Sequence, residues 1–188
     1  MFPAIFLDRD GVLIENRSDY VRNWAQVRIL PKIVDALTSH AVKKYKIIIV
    51  TNQSAVGRGL ITLEAARNIN ENLVRVIEEH KGQIHGVYMC PHDPSAQCSC
   101  RKPQPGLILQ AANDLSLDLG RSWMIGDAWS DLLAGRAAGV HKVALLKTGR
   151  GSEQLLQHSP DNLADYFVFN DLADAVRTIQ KIDSDSNS

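Results

Sequence analysis

Short apolar runs alternate with helical patterns along the chain, and this alternation constrains the fold more than any other property of the sequence. The first run, Met1 to Leu7, has no polar alternation and stops abruptly at Asp8. A strand of that kind is expected where both faces of a parallel sheet are covered. Further strands are expected at Ile47 to Val50, Ile84 to Met89, Trp123 to Ile125, Val140 to Leu145 and Tyr166 to Phe169. Between them, Pro31 suits a first helical position and leads into Ile33, Val34, Leu37 and Ala41 on one side. Thr62 opens a longer helix with Ala66, Ile69, Leu73, Val76 and Ile77 at helical spacing, and Gly82 is its stop. Other helices begin near Pro105, end at Gly139, and carry Leu172, Ala175, Val176 and Ile179. The expectation is an α/β fold: a doubly wound, Rossmann-like parallel sheet with right-handed crossovers.

With 188 residues the chain can bury one full core and is too short for two comfortable domains. A single domain over 1–182 is expected, with 183–188 as a disordered tail. Twenty-one basic residues balance twenty-one acidic ones, so the basic excess that drives nucleic-acid binding is missing. No apolar run approaches the roughly 20 residues of a membrane span, and Met1 to Asp10 lacks the basic start of a secretory signal. A cytoplasmic monomer acting on a small molecule is expected, with neither nucleic acid nor membrane as partner.

In doubly wound sheets, ligands gather beyond the carboxyl ends of the strands. Asp8-Arg9-Asp10-Gly11 follows the first strand, Thr51-Asn52-Gln53-Ser54 the second, and Arg101-Lys102-Pro103 ends the loop after the third. Gly126-Asp127 follows the fourth, with Asp131 one helical turn on. Phosphoryl transfer needs an in-line nucleophile, cations against the phosphoryl oxygens, and a proton donor for the leaving oxygen. Asp8 suits the nucleophile, forming an aspartyl-phosphate. Asp10 suits the acid that protonates the leaving alkoxide and then the base that deprotonates water. Thr51 and Lys102 suit the phosphoryl oxygens. Asp8, Asp127 and the main-chain carbonyl of Asp10 suit magnesium, with Asp131 orienting Lys102 or a metal-bound water.

Cys90-x-His92 and Cys98-x-Cys100 offer three thiolates and one imidazole, the closed tetrahedral set of a structural zinc site. The intervening residues are rich in Pro, Ser, Asp and Gln and have little core to hide in. Zinc would offset the entropy of ordering that loop and fix Arg101 and Lys102 beside the phosphate. His40, His80, His85, His141 and His158 lack a partner at ligand spacing and read as surface or packing residues.

Asp8-x-Asp10, Thr51, Lys102 and Gly126-Asp127-x-x-x-Asp131 resemble, in order, the four motifs of the haloacid dehalogenase superfamily. The resemblance implies a magnesium-dependent phosphoric monoester hydrolase of that fold. About forty residues separate Asp10 from Thr51, so no large cap domain is expected. Within the superfamily, the zinc loop joined to Cys-Arg-Lys-Pro is similar to the heptose-bisphosphate and histidinol-phosphate phosphatases. The stretch Thr51 to Gly59 and Lys102-Pro103-Gln104-Pro105-Gly106 favours the heptose family. That resemblance implies removal of the 7-phosphate of D-glycero-D-manno-heptose 1,7-bisphosphate, in nucleotide-heptose biosynthesis for lipopolysaccharide core or a related glycan. Histidinol phosphate is the alternative substrate; a zinc-stabilised binding module without turnover is the alternative of another class. Substrate contacts are implied for Glu15, Asn16, Arg17, Ser18, Asp19, Tyr20, Asn52, Gln53 and Ser54. Arg58 and Arg101 are placed to meet a second phosphate, since guanidinium binds phosphate bidentately. The chain departs from the family pattern at Ala55 and Ala128 and in its short His92 to Cys98 interval.

Overall fold

A computed structural model describes residues 1–185. In chain order its elements are β1 (Phe2–Leu7), α1 (Ile33–Thr38), β2 (Lys46–Asn52), α2 (Ser54–Gly57), α3 (Leu63–Glu79), β3 (Gly86–Cys90) and α4 (Gly106–Leu115). They continue with β4 (Leu117–Gly126), α5 (Trp129–Ala138), β5 (Lys142–Leu146), α6 (Gly151–Leu155), β6 (Phe167–Phe169) and α7 (Leu172–Asp185). The six strands form one parallel sheet in the order β3-β2-β1-β4-β5-β6. Chain progression reverses between β1 and β4, and the crevice at such a reversal is where doubly wound sheets bind ligands.

Alternation along each strand divides the core into two layers. Ile5, Leu7, Ile47, Ile49, Trp123 and Ile125 pack on one face with the apolar sides of α1, α3 and α7. Ala4, Phe6, Ile48, Val50, Met124, Val143 and Leu145 pack on the other with α4 and α5. Both faces of the central strands are therefore dry, as the unbroken apolar runs required. Between β1 and β2 lie a tight loop, a single helical turn at Trp24–Gln26 and α1, with no inserted cap among the described residues.

Three local expectations need correction. The helix expected from Pro31 through Ala41 is two pieces: Lys32 sits at φ 62° just before α1. Ser39 then leaves helical geometry, at ψ 144°, and its hydroxyl accepts from the Ala41 amide to start a separate helical turn at His40–Val42. The strand expected over Trp123 to Ile125 begins six residues earlier at Leu117. Its polar first half escapes an apolar-run criterion, yet Phe2 and Pro3 pair with Leu117 and Asp118, and Ser122 Oγ accepts the Ala4 amide at 2.8 Å. Finally, α7 continues through residues 183–185, expected to be disordered. Asp183 accepts from the Tyr45 hydroxyl at 3.0 Å and pairs with Lys44 at 2.8 Å, which ties that turn to the body. The rest of the expected tail, 186–188, lies outside the described residues. No helix among them is long and apolar enough to cross a membrane.

Candidate active site

Asp8 leaves the tip of β1, with its amide bonded to Ile125 O of β4 at 3.1 Å, and Asp127 leaves the tip of β4. The two carboxylates thus flank the reversal point of the sheet. Gly11 turns the chain away at φ 84°, and a Cβ there would lie 2.1 Å from Asp127 Oδ2. One at Gly149, in the turn after β5, would lie 2.3 Å from the same oxygen. Only glycines permit this closeness, and the packing fixes the Asp127 side chain. Asp8, Asp127 and Asp131 offer carboxylate oxygens all within 4.8 Å of one another, and all three residues are buried.

Lys102 enters this cluster from the loop after β3. Its Nζ lies 2.8 Å from Asp8 Oδ1, 2.7 Å from Asp131 Oδ1 and 2.7 Å from Val50 O. Burial alone would lower the Lys102 pKa, but Asp131 and Asp8 outweigh it and raise it, so the ammonium is charged. Burial pushes Asp131 up to about 7 against the pull of Lys102, with Asp8 and Asp127 adding to the rise. Burial and Asp8 likewise raise Asp127, against the pull of Arg150. With all three ionised, the carboxylates face two cations, Lys102 and Arg150, which leaves one negative charge in excess. A hard divalent ion resolves that surplus, and a set of carboxylate oxygens is the donor chemistry magnesium takes.

Asp10 sits at the edge of the cluster. Arg9, itself 1% exposed, holds it with a fork: Nη2 to both carboxylate oxygens at 3.0 and 3.1 Å, and Nε at 3.2 Å. Arg9 is anchored in turn by Asn70 Oδ1 of α3 at 2.8 Å. Gln53 Nε2 donates to Asp10 Oδ2 at 2.8 Å and to Thr51 Oγ1 at 2.9 Å. Thr51 is therefore in place at the tip of β2, fully buried beneath Gln53. Asn52, expected to touch substrate, brackets the Lys102 backbone: Nδ2 donates to Lys102 O at 3.0 Å and Oδ1 accepts the Lys102 amide at 3.1 Å.

Above the cluster opens a cleft of about 800 Å³. Asp8, Asp10, Lys102 and Asp131 form its floor, and Asn16, Arg17, Ser18, Tyr20, Asn52, Gln53, Ser54, Arg58 and Arg101 line its walls. Glu15 and Asp19, expected among the substrate contacts, are not in the lining; Asp19 is held instead by Arg17 at 3.0 Å. Arg58 pairs with Asp93 at 3.1 Å and is still half exposed. Arg101 Nη1 is buried and has no hydrogen-bond partner. Burying a guanidinium nitrogen without a partner is costly. Arg150, Gly149 and Glu153 also line the cleft, and sequence reasoning missed them. The signal was present: Lys147-Thr148-Gly149-Arg150 follows the fifth strand as the other candidates follow theirs.

The second cluster lies on the loop after β3. Cys90 Sγ is 3.6 Å from both His92 Nδ1 and Cys98 Sγ, His92 Nδ1 is 3.3 Å from Cys100 Sγ, and Cys100 and Cys98 sulfurs are 3.4 Å apart. None of the thiols is in a disulfide. Bond lengths of about 2.3 Å to sulfur and about 2.0 Å to nitrogen imply tetrahedral edges of roughly 3.5 to 3.8 Å, and the four donors sit close to that spacing. The loop is locked to its surroundings by Gly57, where a Cβ would lie 2.3 Å from Asp93 N, and by Gly106, where one would lie 2.3 Å from Ser99 O. Gln53 N bonds Cys90 O at 2.7 Å, joining this loop directly to the cleft.

Known proteins resemble this chain in both sequence and fold. A hydrolase family model described as "HAD-hyrolase-like" matches residues 99–175. The D-glycero-beta-D-manno-heptose-1,7-bisphosphate 7-phosphatase of Yersinia pestis is 34% identical over 185 residues, covering 95% of each chain. The enzyme of the same name from Neisseria meningitidis is 33% identical over 170 residues, covering 90% of each. Among solved structures, the D,D-heptose 1,7-bisphosphate phosphatase of B. bronchiseptica, complexed with magnesium and phosphate, superposes with a TM-score of 0.89 at 29% identity, over 96% of this chain and 99% of that one.

Proposed function

This chain belongs to the haloacid dehalogenase-like hydrolases, in the family of D-glycero-beta-D-manno-heptose-1,7-bisphosphate 7-phosphatases, and from that premise we propose that it removes the 7-phosphate of that sugar bisphosphate. It is a phosphoric monoester hydrolase. The observation that carries the reading is the Lys102 ammonium held between Asp8 and Asp131 at the floor of a cleft where Arg101 Nη1 lacks a partner. One cation serves the reacting phosphoryl group and the other awaits a second anion, as a bisphosphate requires. The β anomer is our expectation, since the relatives are named for it.

Asp8 attacks phosphorus, forming the Asp8–phosphate bond as the bond to the sugar O7 breaks. Asp10 gives its proton to O7 as the alkoxide leaves, then takes one from the water that attacks the acyl phosphate, which returns Asp8 and inorganic phosphate. To do so it turns out of the Arg9 fork toward the cleft. Lys102 and Thr51 stabilise the charge on the phosphoryl oxygens. Asp8, Asp127 and the Asp10 carbonyl would hold magnesium, whose charge reduces repulsion between Asp8 and phosphate. Asp131 keeps Lys102 aimed. Zinc on Cys90, His92, Cys98 and Cys100 would be structural, holding Arg101 and Lys102 in register; its thiolates stay reduced, which fits a cytoplasmic enzyme. Phosphate release from the α and β heptose bisphosphates, histidinol phosphate and an aryl phosphate, with and without magnesium, tests the proposal. The β bisphosphate should lead; a preference for histidinol phosphate would refute the substrate assignment.

A further inference from the structure

Neither the sequence pattern nor the phosphoryl chemistry above gives Arg150 a task, yet its two halves treat Asp127 differently. The Arg150 amide donates to Asp127 Oδ2 at 2.8 Å, a firm bond, on the oxygen that Gly11 and Gly149 crowd. The guanidinium contacts are longer: Nη2 lies 3.3 Å from Oδ1 and Nε 3.5 Å from Oδ2. Asp127 is 0% exposed while the Arg150 side chain is 53% exposed and lines the cleft. The main chain therefore fixes the carboxylate, and the side chain merely covers Oδ1, the oxygen left for a metal. With the guanidinium in place the metal-free cluster carries one surplus negative charge, and without it two. After a divalent ion binds, the groups facing the guanidinium sum to zero instead of two negative charges, so the attraction that held it there is lost, and the cluster with the guanidinium included carries one positive charge that attracts phosphate.

We propose that Arg150 is a stand-in cation: it neutralises Asp127 until a divalent ion displaces it, and then turns within the cleft to contact the anionic substrate. Metal binding and substrate binding are thereby coupled through one side chain. The inference rests on the reading of this cleft as a magnesium-dependent phosphatase site.

Calorimetric titration of magnesium into zinc-loaded protein tests the first half. Arg150→Gln keeps the main-chain amide and removes the competitor, so its magnesium dissociation constant should fall about fivefold, while Arg150→Lys stays near wild type. Unchanged or weaker magnesium binding in Arg150→Gln overturns the proposal. At saturating magnesium the KM of Arg150→Gln for the heptose bisphosphate should rise about tenfold, with a smaller change in kcat. An unchanged KM, as when the freed guanidinium turns to Glu153 instead, overturns the substrate half. The titration involves no substrate, so failure of wild-type protein to hydrolyse the bisphosphate would count against the substrate reading and leave the metal arm to decide this one.

Discussion

The two clusters that fit metal ions are built on opposite plans. The carboxylates at the sheet reversal are buried, and their places are set by strand tips, by glycines packed onto Asp127 and by a lysine already bonded to Asp8 and Asp131. The Cys and His donors run from the last residue of β3 into an irregular loop, with Cys98 and Cys100 only partly buried at the edge of the core and only Cys90 fully buried. In the first site the fold makes the geometry and the ion completes the charge. In the second, zinc would tie together donors from separate parts of a loop that otherwise rests on a few close backbone contacts. Chemistry is thus assigned to the rigid region and support to the loop, although the loop carries Arg101 and Lys102 into the rigid one.

Substitutions that separate geometry from charge test this contrast. Asp8→Asn is nearly isosteric and should cut turnover by about 10⁴-fold or more, with the melting temperature changed little, because the sheet holds the site without the nucleophile. A matching loss of folded structure would mean that the carboxylate cluster is a structural element. Chelating the loop metal should do the reverse, lowering the melting temperature by roughly 5 to 10 °C and activity by about tenfold as Lys102 and Arg101 lose their anchor. Melting that ignores complete zinc removal would erase the distinction between the regions. Arg101→Ala should raise KM for the bisphosphate by roughly 10- to 100-fold and affect monophosphate esters less, since it removes a charged contact with the second phosphate alone. Equal losses on both substrates would place Arg101 at the reacting phosphate.

The smallest effect lies in pH. In metal-free protein burial keeps Asp131 protonated up to about 7, whereas its unfolded value is near 3.8. Between those values the native state binds more protons than the unfolded one, so stability contributed by this group falls as pH rises through the window. Magnesium favours the ionised carboxylates and should restore more stability above that window than below it. Thermal melts across pH, with and without the ion, check this; a metal-free stability that climbs through the same range would contradict it.

The sequence exposed the parts of the site that follow apolar runs, since an unbroken run ending at Asp8 or at Gly126 marks a strand tip without any knowledge of contacts. It exposed the thiol cluster because ligands close in space were also close in sequence. Arg150 escaped because its link to Asp127 spans 23 residues and depends on how the turn after β5 folds over β4. Arg9 escaped for another reason: an arginine in a loop reads as solvated, and its burial becomes evident only when Asn70 of α3 meets it at 2.8 Å. Asn52 lines the cleft and also braces the Lys102 backbone, a contact that residue type alone does not reveal because it spans 50 residues.

The central claim is that the carboxylate of Asp8 becomes phosphorylated at the sheet reversal. Rapid acid quenching during turnover of the heptose bisphosphate, followed by peptide mass spectrometry, tests it most directly. The account predicts an acid-stable, hydroxylamine-labile phosphate on the peptide that carries Asp8. Full turnover with that peptide unmodified at every quench time, or phosphate on another residue, would contradict it.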